Sequence, residues 1–174
     1  SDLTVTRITE DQYLVVTAAA SQMRDLYWLR ESIRVDERAY VTDVTAGYGV
    51  LSVMGPKSRE LLAQMTPADL SNDAFEFGTS QEIEMGYGLV RASRISYVGE
   101  LGWELYVPSD FALGIFDLLI EKGEACDLAP AGLHALNSLR IEKAYRHWGH
   151  DIGPDDDPLQ AGVGFAVGWD KSAG

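Results

Sequence analysis

The sequence predicts an α+β fold in which antiparallel sheets pack against helices. Two observations indicate this class. Strand-like stretches come in neighbouring pairs, as in hairpins, and the helical stretches between them lack the regular strand–helix–strand alternation of a parallel sheet. Nearly half of the 174 residues are apolar, which is enough for a sizeable core. The predicted strand pairs are residues 3–8 with 12–17, 39–44 with 48–53, and 88–97 with 103–107.

Helices are predicted between and after these pairs. A proline after Gly55 ends the second pair and suits the first turn of a helix. Ser109 and Asp110 are suitable caps for a later helix. Apolar residues at helical spacing mark the longest one, which ends near Trp148. The predicted helices cover residues 18–34, 57–65, 111–122 and 131–148, with a short one at 67–70 and a final strand at 163–167.

The turn-rich stretch 66–78 is the best candidate for a boundary inside the chain. We therefore predict a first subdomain over residues 1–70 and a second over residues 71–174. The chain starts without a methionine and enters a strand-like pattern at once. This start, together with an end just after a strand-like run, leads us to expect a piece of a longer protein.

Composition excludes several classes of protein. The net charge of -13 argues against a nucleic-acid-binding surface, because phosphate contacts need clustered Lys and Arg. The longest apolar runs are too short to cross a bilayer. The single cysteine, Cys126, excludes an internal disulfide and is expected to be a small apolar residue near a helix end. These features predict a soluble cytoplasmic protein.

Common catalytic and cofactor motifs are also missing. Residues 86–88 read Gly-Tyr-Gly, which lacks the third glycine and the strand–turn–helix context of a dinucleotide site and fits a turn. His147, His150 and Asp151 contain metal-ligating atoms, but Gly149 is expected to end the helix between the histidines. We therefore expect no metal site. No Gly-x-Ser-x-Gly motif is present, which disfavours hydrolase chemistry.

The predicted helix 131–148 carries polar residues on its apolar side. At about 100° per residue, the apolar side includes Leu133, Leu136, Ile141, Ala144 and Trp148. Asn137, Arg140 and His147 fall on the same side. A buried guanidinium is costly unless it is paired. We therefore expect partners for these groups nearby.

The predicted hairpin 97–107 places a carboxylate opposite an apolar row. Trp103, Leu105 and Val107 alternate to one face, which leaves Glu104 and Tyr106 on the other. One interpretation is that Glu104 is a solvated or cross-strand-paired carboxylate, which is usual in strands. The other is that Tyr97 and Glu104 form a binding surface at the end of a sheet. The residue pattern alone leaves both open.

Three segments resemble the aminomethyltransferase family, the T protein of the glycine cleavage system. Residues 96–104 read Ser-Tyr-Val-Gly-Glu-Leu-Gly-Trp-Glu and resemble that family's Gly-Tyr-Thr-Gly-Glu-Asp-Gly-x-Glu. Residues 132–142 are similar to its Gly-Leu-x-Ala-Arg-Asp-Ser-Leu-Arg-Leu-Glu, and residues 149–152 to its Gly-Asn-Asp-Ile. The run 143–152 is more similar still to the folate-binding region of FAD-dependent dimethylglycine and sarcosine dehydrogenases.

The resemblance implies a T-protein-like folate-binding fold and a set of site residues. Glu104 matches the carboxylate that holds the pterin, which a carboxylate can do with two parallel hydrogen bonds. Tyr97 and Tyr145 match tyrosines that line the folate pocket, and Val16 falls in a wall-forming strand. Asp2 matches the catalytic aspartate, which is proposed to assist folate N5 and N10 as they capture the one-carbon unit.

Two positions depart from the family pattern. Leu136 stands where the family has a folate-contacting arginine, and Asn137 replaces the neighbouring aspartate, as in the dehydrogenase branch. Arg140 matches the arginine of the Ser-Leu-Arg motif. For Arg140, a structural pairing with a carboxylate is at least as well supported as a ligand contact.

The resemblance implies the tetrahydrofolate-binding, one-carbon-transfer region of an FAD-linked dimethylglycine or sarcosine dehydrogenase or oxidase. The FAD domain and a C-terminal barrel domain of the same parent protein would be its partners. Alone, the segment is expected to be inactive and to bind folate weakly or not at all. Two alternatives stay open: a non-catalytic folate-binding sensor or scaffold, and a domain that only packs against the flavin domain.

Overall fold

The structure is a computed structural model, and it describes residues 2–171. These residues form two antiparallel sheets and four α-helices, so the predicted α+β class is confirmed. The strands are β1 (Leu3–Arg7), β2 (Tyr13–Thr17), β3 (Tyr48–Met54), β4 (Ser80–Met85), β5 (Gly88–Ser93) and β6 (Gly102–Pro108). The helices are α1 (Gln22–Glu31), α2 (Ser58–Leu62), α3 (Ser109–Gly123) and α4 (Leu133–Glu142).

The two sheets differ in size. Strands β1 and β2 form a hairpin, as predicted, with Leu3 opposite Thr17 and Arg7 opposite Tyr13. The larger sheet has the order β3–β6–β5–β4, and all of its neighbours are antiparallel. Strands from both sides of residue 70 share this sheet, and the predicted division into subdomains at that residue stays a prediction.

The core lies between one face of the four-stranded sheet and helices α2 and α3. Strand alternation directs Trp103, Leu105 and Val107 of β6 inward, and all three are fully buried, as predicted. Leu62 of α2 and Leu119 of α3 pack in the same cluster. Cys126 is buried at the end of the α3 region, which confirms its expected apolar role. Among residues 2–171, no helix is long and apolar enough to cross a membrane.

The second predicted hairpin is wrong in one of its two strands. Residues 39–44 form no strand, and Tyr40 is 91% exposed. Side-chain burial is what stabilises a strand in a sheet, and this segment buries no row of apolar side chains. Strand β3 pairs instead with β6 along its whole length. Strand β4 was not predicted, although its Ile83 and Met85 alternate with glutamates.

Several predicted boundaries are wrong by a few residues or more. The chain leaves β5 at Ser93, so the predicted strand to residue 97 is too long, and α1 ends at Glu31. Ser109 does not cap α3 but lies in its first turn and donates a hydrogen bond to the Ala46 carbonyl at 2.7 Å. Residues 67–70 form no helix, and Gly164–Ala166 is a 3₁₀ turn where a strand was predicted.

Helix α4 ends at Glu142, well before the predicted end at residue 148. Ala144 adopts a left-handed backbone conformation with φ of 58°. The amide of Tyr145 donates to the Arg140 carbonyl at 2.9 Å, and the amide of Ala144 to the Ile141 carbonyl at 2.9 Å. These two bonds are the Schellman pattern that terminates helices. The chain therefore turns sharply and carries residues 145–152 away from the helix axis.

Candidate functional site

Two tyrosines meet where the loop between β5 and β6 touches the end of α4. The ring centroids of Tyr97 and Tyr145 are 6.2 Å apart and tilted by 52°. The hydroxyl of Tyr97 donates to the Arg146 carbonyl at 3.1 Å. An ion pair of 3.1 Å between Glu100 and Lys143 joins the loop to the C-terminal end of α4 beside them. Together these contacts hold the two rings at one place.

The charge environment of Tyr97 reveals its other neighbours. Burial raises the pKa of Tyr97, and the Arg140 guanidinium opposes that shift. The negative charges of Asp2 and Asp151 raise the Tyr97 pKa further. Tyr97 therefore stays protonated and able to donate at neutral pH. The exposed carboxylate of Asp2, one residue before β1, lies close enough to act on this tyrosine electrostatically.

Glu104 lies on the face of the four-stranded sheet opposite the core. Its nearest cross-strand neighbours are Ser52 on β3 and Ser93 on β5. The hydroxyl of Tyr106, two residues along β6, donates to Glu104 Oε2 at 2.6 Å. The glutamate is half-buried. The predicted separation of Glu104 and Tyr106 from the core face is thus confirmed.

The structure brings only part of the predicted site set into direct contact. Tyr97 and Tyr145 touch, with Asp2 in electrostatic range of Tyr97. Val16 is half-buried in β2, opposite Thr4. Within residues 2–171, no hydrogen bond or ring contact links the tyrosine pair to Glu104. The ligand roles of all five residues stay predictions.

Arg140 has the partners that its predicted burial requires. It is 1% exposed, Nε donates to Asn137 Oδ1 at 2.6 Å, and Nη1 donates to the Tyr145 carbonyl at 2.7 Å. Nη1 also pairs with Asp151 Oδ2. This arrangement braces the backbone of Tyr145 and includes the carboxylate pairing that was one of the two expectations for Arg140. The predicted apolar side of the helix is wrong, since Leu133 is 76% exposed.

Asp151 has a bracing role as well. The hydrogen bond from Arg140 lowers the pKa of Asp151, and the backbone amide of His147, at 2.8 Å, lowers it further. Its Oδ2 atom accepts both bonds. The rings of His147 and His150 lie 5.8 Å apart in a T-shaped arrangement. In the described part of the chain, no group of three His, Cys, Asp or Glu residues has metal-binding geometry.

A cavity of about 330 Å³ lies beside Tyr145, and two of its lining residues, Phe77 and Arg94, lie outside the motif segments singled out in the sequence. Arg94 lines it, with its guanidinium tied to the Phe75 carbonyl and to Asn72 Oδ1. The Nε atom of Arg94 is buried and has no hydrogen-bond partner among residues 2–171. The sequence signal for Arg94 was weak, because the predicted strand ran past it. The lining residues are Phe77, Arg94, Ser96, Gly99, Glu100, Leu101, Gly102 and Tyr145.

Comparison with known families identifies the family of this chain. The family model described as the GCVT N-terminal domain matches residues 1–171. The chain belongs to this family. The resemblance to aminomethyltransferases seen in the sequence is therefore confirmed.

Relatives of this GCVT N-terminal domain chain include several enzymes. It is 44% identical over 173 residues to 4-methylaminobutanoate oxidase (formaldehyde-forming) of Paenarthrobacter nicotinovorans, covering 99% of this chain and 21% of the oxidase. It is 35% identical to human mitochondrial dimethylglycine dehydrogenase, covering 99% of this chain and 20% of that protein. The aminomethyltransferase of Halothermothrix orenii is 35% identical, with 99% and 47% covered.

The chain therefore spans about a fifth of the length of its oxidase and dehydrogenase relatives. Among solved structures, the heterotetrameric sarcosine oxidase from Corynebacterium sp. U-96, in complex with pyrrole 2-carboxylate, aligns with a TM-score of 0.60 at 22% identity. The alignment covers 75% of this chain and 64% of that one. At this identity the likeness supports the fold alone.

Proposed function

We propose that this chain is the tetrahydrofolate-binding, one-carbon-transfer region of a flavin-linked N-methyl amine oxidase or dehydrogenase. In the amine-oxidising part of the protein, FAD would accept the two electrons as the N-methyl amine becomes an iminium. The iminium carbon would pass to tetrahydrofolate to give 5,10-methylenetetrahydrofolate, and the demethylated amine would be released. The observation that carries this proposal is the match along 99% of the chain to a 4-methylaminobutanoate oxidase at 44% identity. That relative's name specifies both an N-methyl amine and a formaldehyde product.

The residues present suit a folate. A pterin ring presents adjacent N–H donors along one edge, and the half-buried Glu104 carboxylate accepts such a pair. Tyr97 and Tyr145 offer ring faces for aromatic contact. Val16 adds an apolar wall. Tetrahydrofolate supplies two nitrogen atoms that capture a carbon at the oxidation level of formaldehyde.

The chain's own residues position and stabilise the reactants. Glu104 fixes the orientation of the pterin edge. Holding two reactants in the reacting geometry can lower a typical activation barrier by up to roughly 7–11 kcal/mol. The Asp2 carboxylate favours positive charge on the iminium and on the folate nitrogens, since fixed charges aimed at developing charge lower the barrier. Arg140 holds the Tyr145 carbonyl and so keeps that ring beside Tyr97.

The remaining parts belong to the rest of the proposed parent protein. The chain has no dinucleotide fingerprint, so FAD would be bound by an amine-oxidising domain outside it. That domain and a C-terminal barrel domain are the partners we propose. We place the protein in the cytoplasm on account of its acidity, whereas the human and mouse dimethylglycine dehydrogenases are mitochondrial.

Product analysis in the full-length flavoprotein tests the proposal. With an N-methyl amine substrate and tetrahydrofolate, we expect 5,10-methylenetetrahydrofolate to replace free formaldehyde. Glu104→Ala should weaken tetrahydrofolate binding at least about tenfold and restore formaldehyde release, with amine oxidation unchanged. Equal folate binding by the variant would contradict the pterin assignment. Folate binding without any effect on product would favour the sensor or scaffold alternative.

A further inference from the structure

Glu104 is a half-buried carboxylate on the sheet face opposite the core. Within residues 2–171 no ion pair reaches Glu104, and the guanidinium of Arg91, on the neighbouring strand, pairs instead with Glu82 at 3.4 Å. The hydroxyl of Ser93, directly opposite on β5, donates to Ser80 at 3.0 Å. The hydrogen bond that Glu104 does receive comes from Tyr106. Its remaining acceptor capacity is therefore open to a ligand.

The donor of that bond is held rigidly. Strand register places Tyr106 between Val50 on β3 and Arg91 on β5, and the tyrosine is 4% exposed. Directly opposite side chains on one sheet face pack against each other. The ring is thus fixed by its neighbours, while the hydroxyl lies 2.6 Å from Glu104 Oε2.

The proton of this hydroxyl is also held in place. Burial raises the pKa of Tyr106, and the hydrogen bond to the Glu104 carboxylate raises it further. Tyr106 is therefore protonated at neutral pH. Its hydroxyl therefore acts as the hydrogen-bond donor to Glu104.

We propose that Tyr106 is a positioning residue that orients the Glu104 carboxylate for two adjacent N–H donors of a planar heterocycle. This inference rests on the proposed function, in which the pterin is that heterocycle. A carboxylate has about four acceptor sites. The bond from Tyr106 occupies one site on Oε2, and this leaves Oε1 and the other side of Oε2 for the ligand.

The benefit of such positioning is preorganisation. A strand glutamate that points away from the core has several rotamers, and ligand binding has to select one of them at an entropic cost. A hydrogen bond from a buried tyrosine selects the rotamer before the ligand arrives. The loss of the hydroxyl should therefore act on affinity through Glu104 and through nothing else.

A double-mutant cycle in the full-length protein tests this inference. Tetrahydrofolate is titrated into the wild-type protein, Tyr106→Phe, Glu104→Ala and the double variant. We expect Tyr106→Phe to raise the Kd about tenfold, the size of one hydrogen bond to a charged group. In the Glu104→Ala background the same change should alter the Kd less than about twofold, because the partner is gone.

Two controls separate positioning from general damage to the sheet. Tyr48→Phe removes a hydroxyl from the same sheet face that makes no hydrogen bond within the described residues, and should leave the Kd unchanged. The reduced 2-desamino folate analogue, which lacks one of the paired N–H donors, should be far less sensitive to Tyr106→Phe. Thermal unfolding of each variant reports any loss of folding.

Each outcome decides between the two proposals. If Glu104→Ala weakens binding and Tyr106→Phe does not, the positioning role is overturned and the folate function stands. An equal effect of Tyr106→Phe in both backgrounds, or on both ligands, also overturns positioning and indicates a structural effect. No effect of Glu104→Ala contradicts the pterin assignment itself.

Discussion

The central region, residues 48–128, and the flanking segments, residues 2–47 and 129–171, are held together by different forces. Every buried apolar side chain of the described residues lies in the central region. In the flanking segments, the buried residues are Asp25 and Arg140, which are both charged. Apolar burial stabilises the first region, and charged hydrogen-bonded residues organise the second.

The two buried charges act in a similar way. Asp25 of α1 accepts hydrogen bonds from Thr17 and Ser21 and pairs with Arg24 at 2.9 Å, which ties the helix to the end of β2. Arg140 ties α4 to the turn after it. A buried charge is tolerated only when it is paired and hydrogen-bonded. Such contacts fix a geometry without supplying the broad stabilisation of a core.

The candidate site draws on both regions. Tyr97 and Glu104 belong to the central region, whereas Asp2, Val16 and Tyr145 belong to the flanking segments. The central residues of the proposed site are thus attached to the apolar core, whereas the flanking ones depend on polar contacts. This explains physically why the segment alone should bind folate weakly.

The largest expected effect compares a tryptophan from each region. Trp103 is 0% exposed, contacts Phe75 edge-to-face at 6.1 Å and lies under the Arg94 guanidinium at 5.7 Å. Trp103→Ala should lower the free energy of unfolding by about 3–5 kcal/mol in urea denaturation. Trp28→Ala, at a side chain that is 65% exposed, should change it by at most about 0.5 kcal/mol. Similar losses for the two variants would contradict the contrast between the regions.

A smaller and local effect is expected from Arg140→Met. This change keeps much of the side-chain volume but removes the bonds to Asn137, Tyr145 and Asp151. Amide hydrogen exchange between residues 137 and 151 should become about tenfold faster or more, since bonds to a charged group are lost. Amides in β5 and β6 should keep their protection. Loss of protection throughout the sheet would show that the flanking segment supports the core as well.

The smallest effect concerns pH. Bonds from Arg140 and from the His147 amide lower the pKa of Asp151 below its ordinary value of about 4. Because the folded pKa is the lower one, the stabilisation is complete above about pH 4 and is lost as the pH falls through the folded value. Exchange between residues 137 and 151 should therefore accelerate in acid, and Asp151→Asn should remove that acid dependence. If exchange in the variant still accelerates in acid, the acid dependence comes from other carboxylates.

The sequence predicted the central region better than the flanking segments. Alternation in β6 identified the core face of Trp103, Leu105 and Val107, because a buried strand face leaves a period of two in the sequence. The α4 region misled the same reasoning. Its apolar spacing predicted a buried side, but Leu133 and Ile141 are exposed and the helix stops at Glu142. Apolar periodicity does not show whether a helix face packs against another element.

The site was predictable only in part. The burial and pairing of Arg140 followed from the cost of an unpaired guanidinium. Its partner Asp151 had been considered as a metal ligand and as part of a family motif, and not as a partner of Arg140. The i, i+2 spacing of Glu104 and Tyr106 on a strand predicted that they share one face of the sheet. It did not predict the hydrogen bond between them. Asp2 and Tyr97 are 95 positions apart in the sequence but lie near each other in the structure, and no local sequence pattern predicts this proximity.

Hydrogen exchange of the full-length protein with and without tetrahydrofolate tests most directly whether the two regions share one pocket. We expect folate to slow exchange in both flanking segments, at residues 2–17 and 136–151, and around Glu104. Exchange in β4, which contributes no proposed site residue, should stay unchanged. Protection confined to the central region, or absent from all of these segments, would contradict a site built jointly by the two regions.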